Sequence, residues 1–245
     1  MLRALGLAAA FAAAGAFAAR ACDPVTLLEY DVQGGWWQIE VNGVYLDSGA
    51  SQFASGGAPI KDWLLRGDNT VTVKLEADKG DFSLYRICED GSDRKDFAKA
   101  SLTGRSSEEL GFSVEAPPLR LFLDQEPVSD DGLLKAVEDL KAAFTARDAD
   151  AVWRLHAALQ ADMALNGQKT GAAQWQMGKV VENIEPDFAA NLRARPVLGG
   201  RVWEVFGDDF APPISDEVAM NGGSVPFQTG SFWMRRNGEW SVLVK

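Results

Sequence analysis

Two Asn-Gly dipeptides restrict the fold of this 245-residue chain more than any other feature of its sequence. Asn42-Gly43 and Asn237-Gly238 each stand between two runs in which apolar and polar residues alternate. Asn-Gly between such runs is the strongest short-range signal for a two-residue type I′ turn that joins antiparallel strands. The sequence therefore predicts a β-hairpin in each half of the chain, and each turn fixes which residues face each other.

The predicted registers assign a direction to every side chain of the two hairpins. The first hairpin has one apolar and one polar face, whereas both faces of the second are largely apolar and need cover. Helices can cover one of these faces. The N-terminal half or a second copy of the chain must cover the other, so a homodimer through the C-terminal sheet is one interpretation. The predicted pairs are Val41–Val44, Glu40–Tyr45, Ile39–Leu46, Gln38–Asp47 and Trp37–Ser48 in the first hairpin, and Arg236–Glu239, Arg235–Trp240, Met234–Ser241, Trp233–Val242 and Phe232–Leu243 in the second.

The N-terminal half, residues 22–127, consists of short β-type runs separated by turn residues. Thr70–Ala77 and Phe82–Cys88 are two further predicted strands. Several short antiparallel strands at such spacing predict a β-sandwich or a small barrel, and the sandwich is the favoured interpretation. The run Trp63–Val73 resembles the step into a central strand of galactose-binding-like jelly-roll domains, and this resemblance implies the same sandwich.

Proline and acidic turn residues between Ala116 and Asp131 predict a domain boundary near Val128, with the second domain at 128–245. Ser129 or Asp130 is the expected cap of a first helix. A second helix follows with Leu155 on its apolar side, and a third is expected over 171–184 with Trp175 facing inward. Strands then take over, including 201–206. The first helix has a stripe of apolar residues at helical spacing: Leu133, Val137, Leu140 and Phe144.

Helices followed by a curved antiparallel sheet predict an α+β cone. Residues 136–153 and the ending Phe232–Val242 resemble the nuclear-transport-factor and ketosteroid-isomerase-like (SnoaL-like) family, loosely over residues 130–245. Enzymes with this fold often use a buried carboxylate, while other members are not enzymes. The whole chain is thus expected to be α+β, with an antiparallel β-sandwich followed by a cone-like domain.

Residues 1–21 have the pattern of a secretory signal peptide, with an Ala-rich apolar run before Ala19-Arg20-Ala21. Cleavage is expected after Ala21 or Ala18, which predicts a periplasmic or secreted protein. No later segment has the length of apolar residues that a transmembrane helix needs. In an oxidising compartment Cys22 and Cys88 are expected to form a disulfide. Lipidation of Cys22 is the rival interpretation, and the residues before it fit a lipoprotein signal poorly.

The charge balance excludes several classes of partner and cofactor. The net charge is −11, and loss of Arg3 and Arg20 with the signal peptide makes it −13. Nucleic-acid binding needs clustered Lys and Arg, so a polyanion is not an expected partner. A lone histidine and two cysteines leave too few ligands for a multi-histidine metal site or an iron–sulfur cluster. We therefore expect neither metal nor cofactor.

Glu204, Asp47 and His156 are the candidate catalytic residues. Glu204 alternates with apolar residues on a predicted strand, where burial would raise its pKa. A salt bridge to Arg201 explains it equally well. Asp47 lies in Asp47–Ser51, which resembles the signature of retroviral-type aspartic proteases and would need a dimer to supply the second carboxylate. His156 adjoins the apolar side of a helix, where a structural role is the common one.

Trp36 and Trp63 are the candidate ligand-binding residues, because nothing in the pattern assigns them to the core. The sequence predicts an exported, non-catalytic envelope protein that binds a small apolar molecule, a glycan or a protein partner. The alternative is an enzyme with a buried carboxylate in its cone, or an aspartic protease dimer using Asp47.

Overall fold

The computed structural model describes residues 24–88, 90–115, 117, 120–220 and 223–244. The predicted signal peptide and Cys22 lie outside this part of the chain. Over these described ranges, four α-helices and antiparallel sheets confirm the α+β class. None of the helices in the described ranges is long and apolar enough to cross a membrane.

The N-terminal half forms one four-stranded antiparallel sheet in the order β2-β1-β3-β4. A sandwich has two sheets, so the predicted arrangement is corrected on this point. The predicted strands Thr70–Ala77 and Phe82–Cys88 are two parts of one strand. All four strands are much longer than a typical strand of a globular protein. The bounds are Pro24–Val41 for β1, Val44–Pro59 for β2, Gly67–Cys88 for β3 and Lys95–Val114 for β4.

A bend in the long strands lets this single sheet enclose its own core. In β1 the buried apolar positions are even-numbered up to Val32 and odd-numbered from Trp37, with Gly34 between them at φ 72°. The register of β1 with β2 and β3 continues unchanged through this point, and β3 also changes its buried positions there, from odd up to Ala77 to even from Phe82. β3 has a register irregularity against β4 at the matching place, between Ala77 and Gly80. Apolar side chains from both sides of the bend pack into one cluster, which is why one sheet suffices.

The first Asn-Gly turn is where the sequence predicts it, but the register changes one step beyond it. Val41 faces Val44 and Glu40 faces Tyr45 as predicted, whereas Ile39 faces Asp47. The expected partners Ile39–Leu46, Gln38–Asp47 and Trp37–Ser48 are therefore wrong by one residue. The cause is an extra residue in β2 at the irregularity opposite Ile39/Glu40.

Four helices open the C-terminal half: α1 Leu133–Thr145, α2 Ala149–Leu155, α3 Ala157–Leu165 and α4 Thr170–Asn183. The predicted stripe of α1 is confirmed, since all four of its residues are buried. The expected second helix is broken in two at His156. Gly132, with φ 78°, is the N-cap of α1 in place of the predicted Ser129 or Asp130. Trp175 is 64% exposed, so its predicted inward direction is wrong.

Two small antiparallel sheets complete the C-terminal half, in the orders β11-β10-β7-β6 and β5-β8-β9. The second hairpin keeps its predicted register from Arg236–Glu239 to Trp233–Val242. It shifts only at the end, where Phe232 faces Val244 and not Leu243. The strands are β5 Asp187–Phe188, β6 Arg193–Val197, β7 Val202–Phe206, β8 Ile214–Met220, β9 Gly223–Thr229, β10 Phe232–Arg236 and β11 Glu239–Val244.

Both apolar faces of the second hairpin are covered within the same chain. Trp233 and Val242 pack in a cluster with the helices. Phe232, Met234 and Leu243 pack on the other side in a second cluster. That cluster includes Val44 from β2, with Trp63, Phe122 and their neighbours, all from the N-terminal half. The N-terminal half is therefore the neighbour that this face needs, and the homodimer through the C-terminal sheet stays a prediction.

Candidate functional site

Glu204 lies where the two halves of the chain meet, in a group of charged side chains. The carboxylate is buried on β7 and accepts a hydrogen bond from Arg195 Nε at 2.6 Å. Arg195 Nη1 donates across the junction to Glu40 Oε1 at 3.3 Å. Glu40 Oε1 also accepts from Lys74 Nζ at 3.1 Å and from Gln38 Nε2 at 2.5 Å. Arg195 thus joins two buried carboxylates that belong to different halves of the molecule.

The environment of Glu204 shifts its pKa in the direction that the sequence analysis expects. Burial raises the pKa above its ordinary value, and the charge of Glu40 acts in the same direction, while the Arg195 guanidinium lowers it. The expected partner Arg201 instead donates from Nε to the carbonyl of Gln125 at 2.9 Å. Glu204 therefore faces the N-terminal sheet as one member of an ion pair.

The interior of the C-terminal half is packed with aromatic and aliphatic side chains. Trp233 and Phe144 are almost fully buried there, and Trp240 closes the same cluster. The indole Nε1 groups of both tryptophans are satisfied, Trp233 by the carbonyl of Gly230 at 2.5 Å and Trp240 by that of Asp131 at 2.8 Å. The apolar side chains that would have to line a cavity around a catalytic acid pack against one another instead.

Asp47 is held by a tyrosine inside the N-terminal sheet. Tyr30 donates its hydroxyl to Asp47 Oδ2 at 2.8 Å. Burial raises the pKa of Tyr30, and the hydrogen bond to Asp47 and its charge raise it further. The strand β2 runs on through Asp47 to Pro59. The register change described above also turns Asp47 toward the face that it shares with Ile39, and the sequence placed it on the opposite face.

His156 is buried between α2 and α3 with a partner on each ring nitrogen. Nδ1 lies 2.8 Å from the carbonyl of Val152 and must donate to it, so Nε2 accepts from the Thr229 hydroxyl at 2.9 Å in the neutral ring. Burial lowers the pKa of His156 below its ordinary value. A neutral histidine that links the helices to β9 is a structural element of the core.

The two candidate tryptophans have different environments. Trp63 lies in a short 3-10 turn, Lys61–Trp63, and its ring packs against Phe232 with centroids 4.9 Å apart. Trp36 is 37% exposed on β1. Of the two, Trp36 alone is in a position to meet a ligand without opening the contact between the two halves.

Trp36 lines a surface groove with a volume of about 570 Å³. This volume is typical of small-ligand sites. Strand pairing builds the groove, because Trp36 faces Glu76 across β1 and β3, and Glu76 faces Arg105 across β3 and β4. The groove thus combines one indole with both signs of charge and with hydroxyls. Its lining residues are Trp36, Lys74, Leu75, Glu76, Arg105, Ser106 and Ser107.

Lys74 belongs both to this groove and to the charged group around Arg195. Its side chain is 41% exposed, while its ammonium pairs with the buried carboxylate of Glu40. The sequence analysis missed Lys74, Glu40 and Arg195, because the contact between Glu40 and Arg195 joins residues 155 positions apart. No local pattern could have indicated that pairing.

Cys88 is buried at the end of β3, where Pro24 is its partner across β1 and β3. Its predicted disulfide partner, Cys22, lies outside the described residues, so the disulfide stays a prediction. Over the parts of the chain that the structure describes, there is no group of three or more His, Cys, Asp or Glu side chains arranged to hold a metal ion.

Comparison with protein-family models, with curated proteins and with solved structures found no match to this chain. The resemblances stated for residues 63–73 and 130–245 therefore stay predictions.

Proposed function

We propose that this is an exported, non-catalytic binding protein of the cell envelope, and that its ligand is a glycan bound on Trp36. The observation that carries the proposal is the partly exposed indole of Trp36 in a groove of polar side chains. A sugar ring has an apolar face that can lie on an indole and hydroxyl groups that both donate and accept hydrogen bonds. Glu76 supplies acceptors and Arg105 supplies donors, and neither forms a salt bridge within the described part of the chain.

A glycan fits this groove better than the other two ligand classes. A small apolar molecule would need a concave site lined mainly by hydrophobic and aromatic side chains, whereas five of the seven residues that line this groove are charged or carry a hydroxyl group. A protein partner would need a much wider contact, of about 800 Å² on each side. The acidic chain also favours a neutral ligand over an anionic one, since its net charge is −11.

The N-terminal sequence supports the location in this proposal. The apolar run before Ala21 is suited to export, and an oxidising compartment would allow a Cys22–Cys88 disulfide. The β1–β3 register is compatible with that bond, because Pro24 faces Cys88 and Cys22 is only two residues before Pro24. The order of helices before strands likewise supports a cone-like interpretation of residues 128–245.

An enzyme with Glu204 as its acid is the second candidate function, and the raised pKa of Glu204 is the observation in its favour. The ion pair with Arg195 and the packed interior weigh against it. A protease dimer at Asp47 would have to displace the hydroxyl of Tyr30.

The test is a binding measurement with two tryptophan variants. The mature protein is applied to a glycan array, and the hits are titrated by tryptophan fluorescence and calorimetry. Trp36→Ala should weaken binding at least about tenfold, the equivalent of about 1.4 kcal/mol. Trp175→Ala is the matched control, because Trp175 is an exposed tryptophan outside the groove. Absence of any glycan hit, or equal affinity of Trp36→Ala and wild type, would show that the proposal is wrong.

A further inference from the structure

The outer edge of the N-terminal sheet is an unusually unprotected strand. β2 is the end strand in the order β2-β1-β3-β4, and β1 is its strand partner. The backbone groups on the other side of this long strand are therefore open within the described part of the chain. Open N–H and C=O groups on a sheet edge can pair with a strand from another molecule.

Between its extra residue near Asp47 and Pro59 at its end, β2 lacks the usual protection against such pairing. Natural edge strands are blunted by charged residues, above all lysine. No charged residue occurs between Asp47 and Lys61, where the sequence is rich in Gly, Ala and Ser. The other edge strand, β4, differs sharply in this respect. It has charged residues along its length: Lys95, Asp96, Lys99, Arg105, Glu108 and Glu109.

The middle of the open edge is Phe53, whose side chain is 76% exposed. Its N–H donates to Ser51 Oγ at 3.2 Å, and its carbonyl accepts from the same hydroxyl at 2.8 Å. The partner of both backbone groups of Phe53 is therefore the Ser51 hydroxyl and not a neighbouring strand. A paired strand would offer these two groups better partners and would release the hydroxyl.

We propose that β2 pairs antiparallel with β2 of a second copy of this chain, which joins two four-stranded sheets into one. A twofold axis makes such an edge complementary to itself. Charge selects the second copy as the occupant. Pairing two copies of this edge brings no like charges together, because residues 48–60 carry no charge, and salt screens the repulsion between the more distant charges of the two acidic chains. A charged peptide would find no complementary charge here.

This proposal is independent of the glycan site and uses a different surface from the homodimer that the sequence suggested through the C-terminal sheet. The small side chains around Phe53 allow two backbones to come close, and the bulk of both phenylalanine rings then covers one face of the new pair. Pairing by one strand gives a modest contact area, so the expected dimer dissociates on dilution.

The test measures the mass of the mature protein by sedimentation equilibrium over a range of concentrations up to about 100 µM. Wild type should approach twice the protomer mass. Phe53→Lys places like charges across the axis, and Phe53→Pro removes an edge donor, so each should raise the dimer dissociation constant at least about tenfold. Ser51→Ala removes the competing hydroxyl and should lower it.

Three controls make the result specific. Thr103→Lys adds the same charge to an exposed position of β4 and should leave the mass unchanged. Trp36→Ala should also dimerise normally, which separates this proposal from the glycan site. Circular dichroism of each variant establishes that it is folded. A wild type that stays monomeric throughout, as expected if the edge serves a different protein, overturns the proposal. Normal dimers of folded Phe53→Lys and Phe53→Pro do the same.

Discussion

The two Asn-Gly turns share one backbone conformation and have different surroundings. Asn42 and Gly43 have φ angles of 49° and 83°, and Asn237 and Gly238 have 52° and 86°. Both φ values are positive in each pair, as a type I′ turn requires. In both cases the dipeptide connects two antiparallel strands. Locally, the two turns are the same structure.

Asn42 is a junction residue that several elements use at once. Its Nδ2 donates to the carbonyl of Trp63 at 2.7 Å and to Asn69 Oδ1 at 2.8 Å, and its Oδ1 accepts from the N–H of Thr70 at 2.9 Å. Its carbonyl accepts from the N–H of Leu198, in the C-terminal half, at 2.8 Å. This turn therefore fastens the first hairpin to β3 and to the other half of the molecule.

The Asn237-Gly238 turn lies in solvent. Both residues are exposed, and Arg235 Nε donates to the carbonyl of Gly238 at 3.2 Å. The comparison separates two kinds of information. A dipeptide determines the reversal of the chain, whereas residues distant in sequence determine how much stability that reversal provides.

Alanine at each asparagine should show the largest difference between the turns. Asn42→Ala loses three side-chain hydrogen bonds and leaves the buried Asn69 amide with one partner fewer. Asn237→Ala loses only the local preference for positive φ. We expect Asn42→Ala to reduce the free energy of unfolding by about 3 kcal/mol more than Asn237→Ala does. Urea denaturation followed by tryptophan fluorescence measures both.

The outcome bears directly on the junction. A variant Asn42→Asp keeps an acceptor for Thr70, but it loses the donor to Trp63 and to Asn69 and places a carboxylate oxygen against both acceptors. It should therefore be no more stable than Asn42→Ala. Equal losses for Asn42→Ala and Asn237→Ala would mean that the hydrogen bonds at the junction contribute nothing beyond the turn itself.

Arginine variants on β6 test the same junction from the opposite side, with a smaller effect. Arg195→Ala leaves the carboxylates of Glu40 and Glu204 buried with less neutralising charge. This loss should cost about 2 kcal/mol of unfolding free energy. Arg193→Ala is the matched control on the same strand, because the Arg193 side chain is 61% exposed and pairs with Asp208 at 3.6 Å. Losing such a surface pair should cost less than about 0.5 kcal/mol.

A second substitution identifies the cause of the Arg195 effect. Glu204→Gln in the Arg195→Ala background removes one of the two carboxylates and should restore part of the lost stability. If the double variant is no more stable than Arg195→Ala, the loss comes from packing of the arginine side chain against Phe206 and Phe210 and not from charge.

The sequence allowed the local parts of the fold to be predicted. Both turns and the stripe of α1 follow from residues within one or two turns of each other, and they are confirmed. The one-residue register change at Ile39 could not be predicted. The pattern of apolar and polar residues in β2 fits Ile39 opposite Leu46 and also Ile39 opposite Asp47. The single sheet was missed for a similar reason, since glycines that bend a strand have the same sequence signal as glycines that end one.

The candidate residues show the same limit. Glu204 was correctly expected among apolar neighbours with a raised pKa, but its partner could not be identified from nearby residues. The spacing of apolar residues also fails to predict which tryptophans are exposed, since Trp175 lies in solvent and Trp63 packs between the two halves. Periodicity does not assign Trp36 to the core, and the groove around it depends on the pairing of β1, β3 and β4.

The glycines of the two turns should give the smallest difference of all. Gly43→Ala and Gly238→Ala each put a side chain at positive φ. Such a conformation costs about 1.5 kcal/mol for a residue with a Cβ. A Cβ on Gly43 would come no closer than 3.6 Å to Val197, and one on Gly238 would meet nothing within 4 Å. Because neither side chain would be crowded, the two losses should agree to within about 0.5 kcal/mol in urea denaturation. A much larger loss of unfolding free energy for Gly43→Ala would show that contacts with the C-terminal half constrain the backbone of the first turn. Local and distant contributions to stability could then not be separated for the first hairpin.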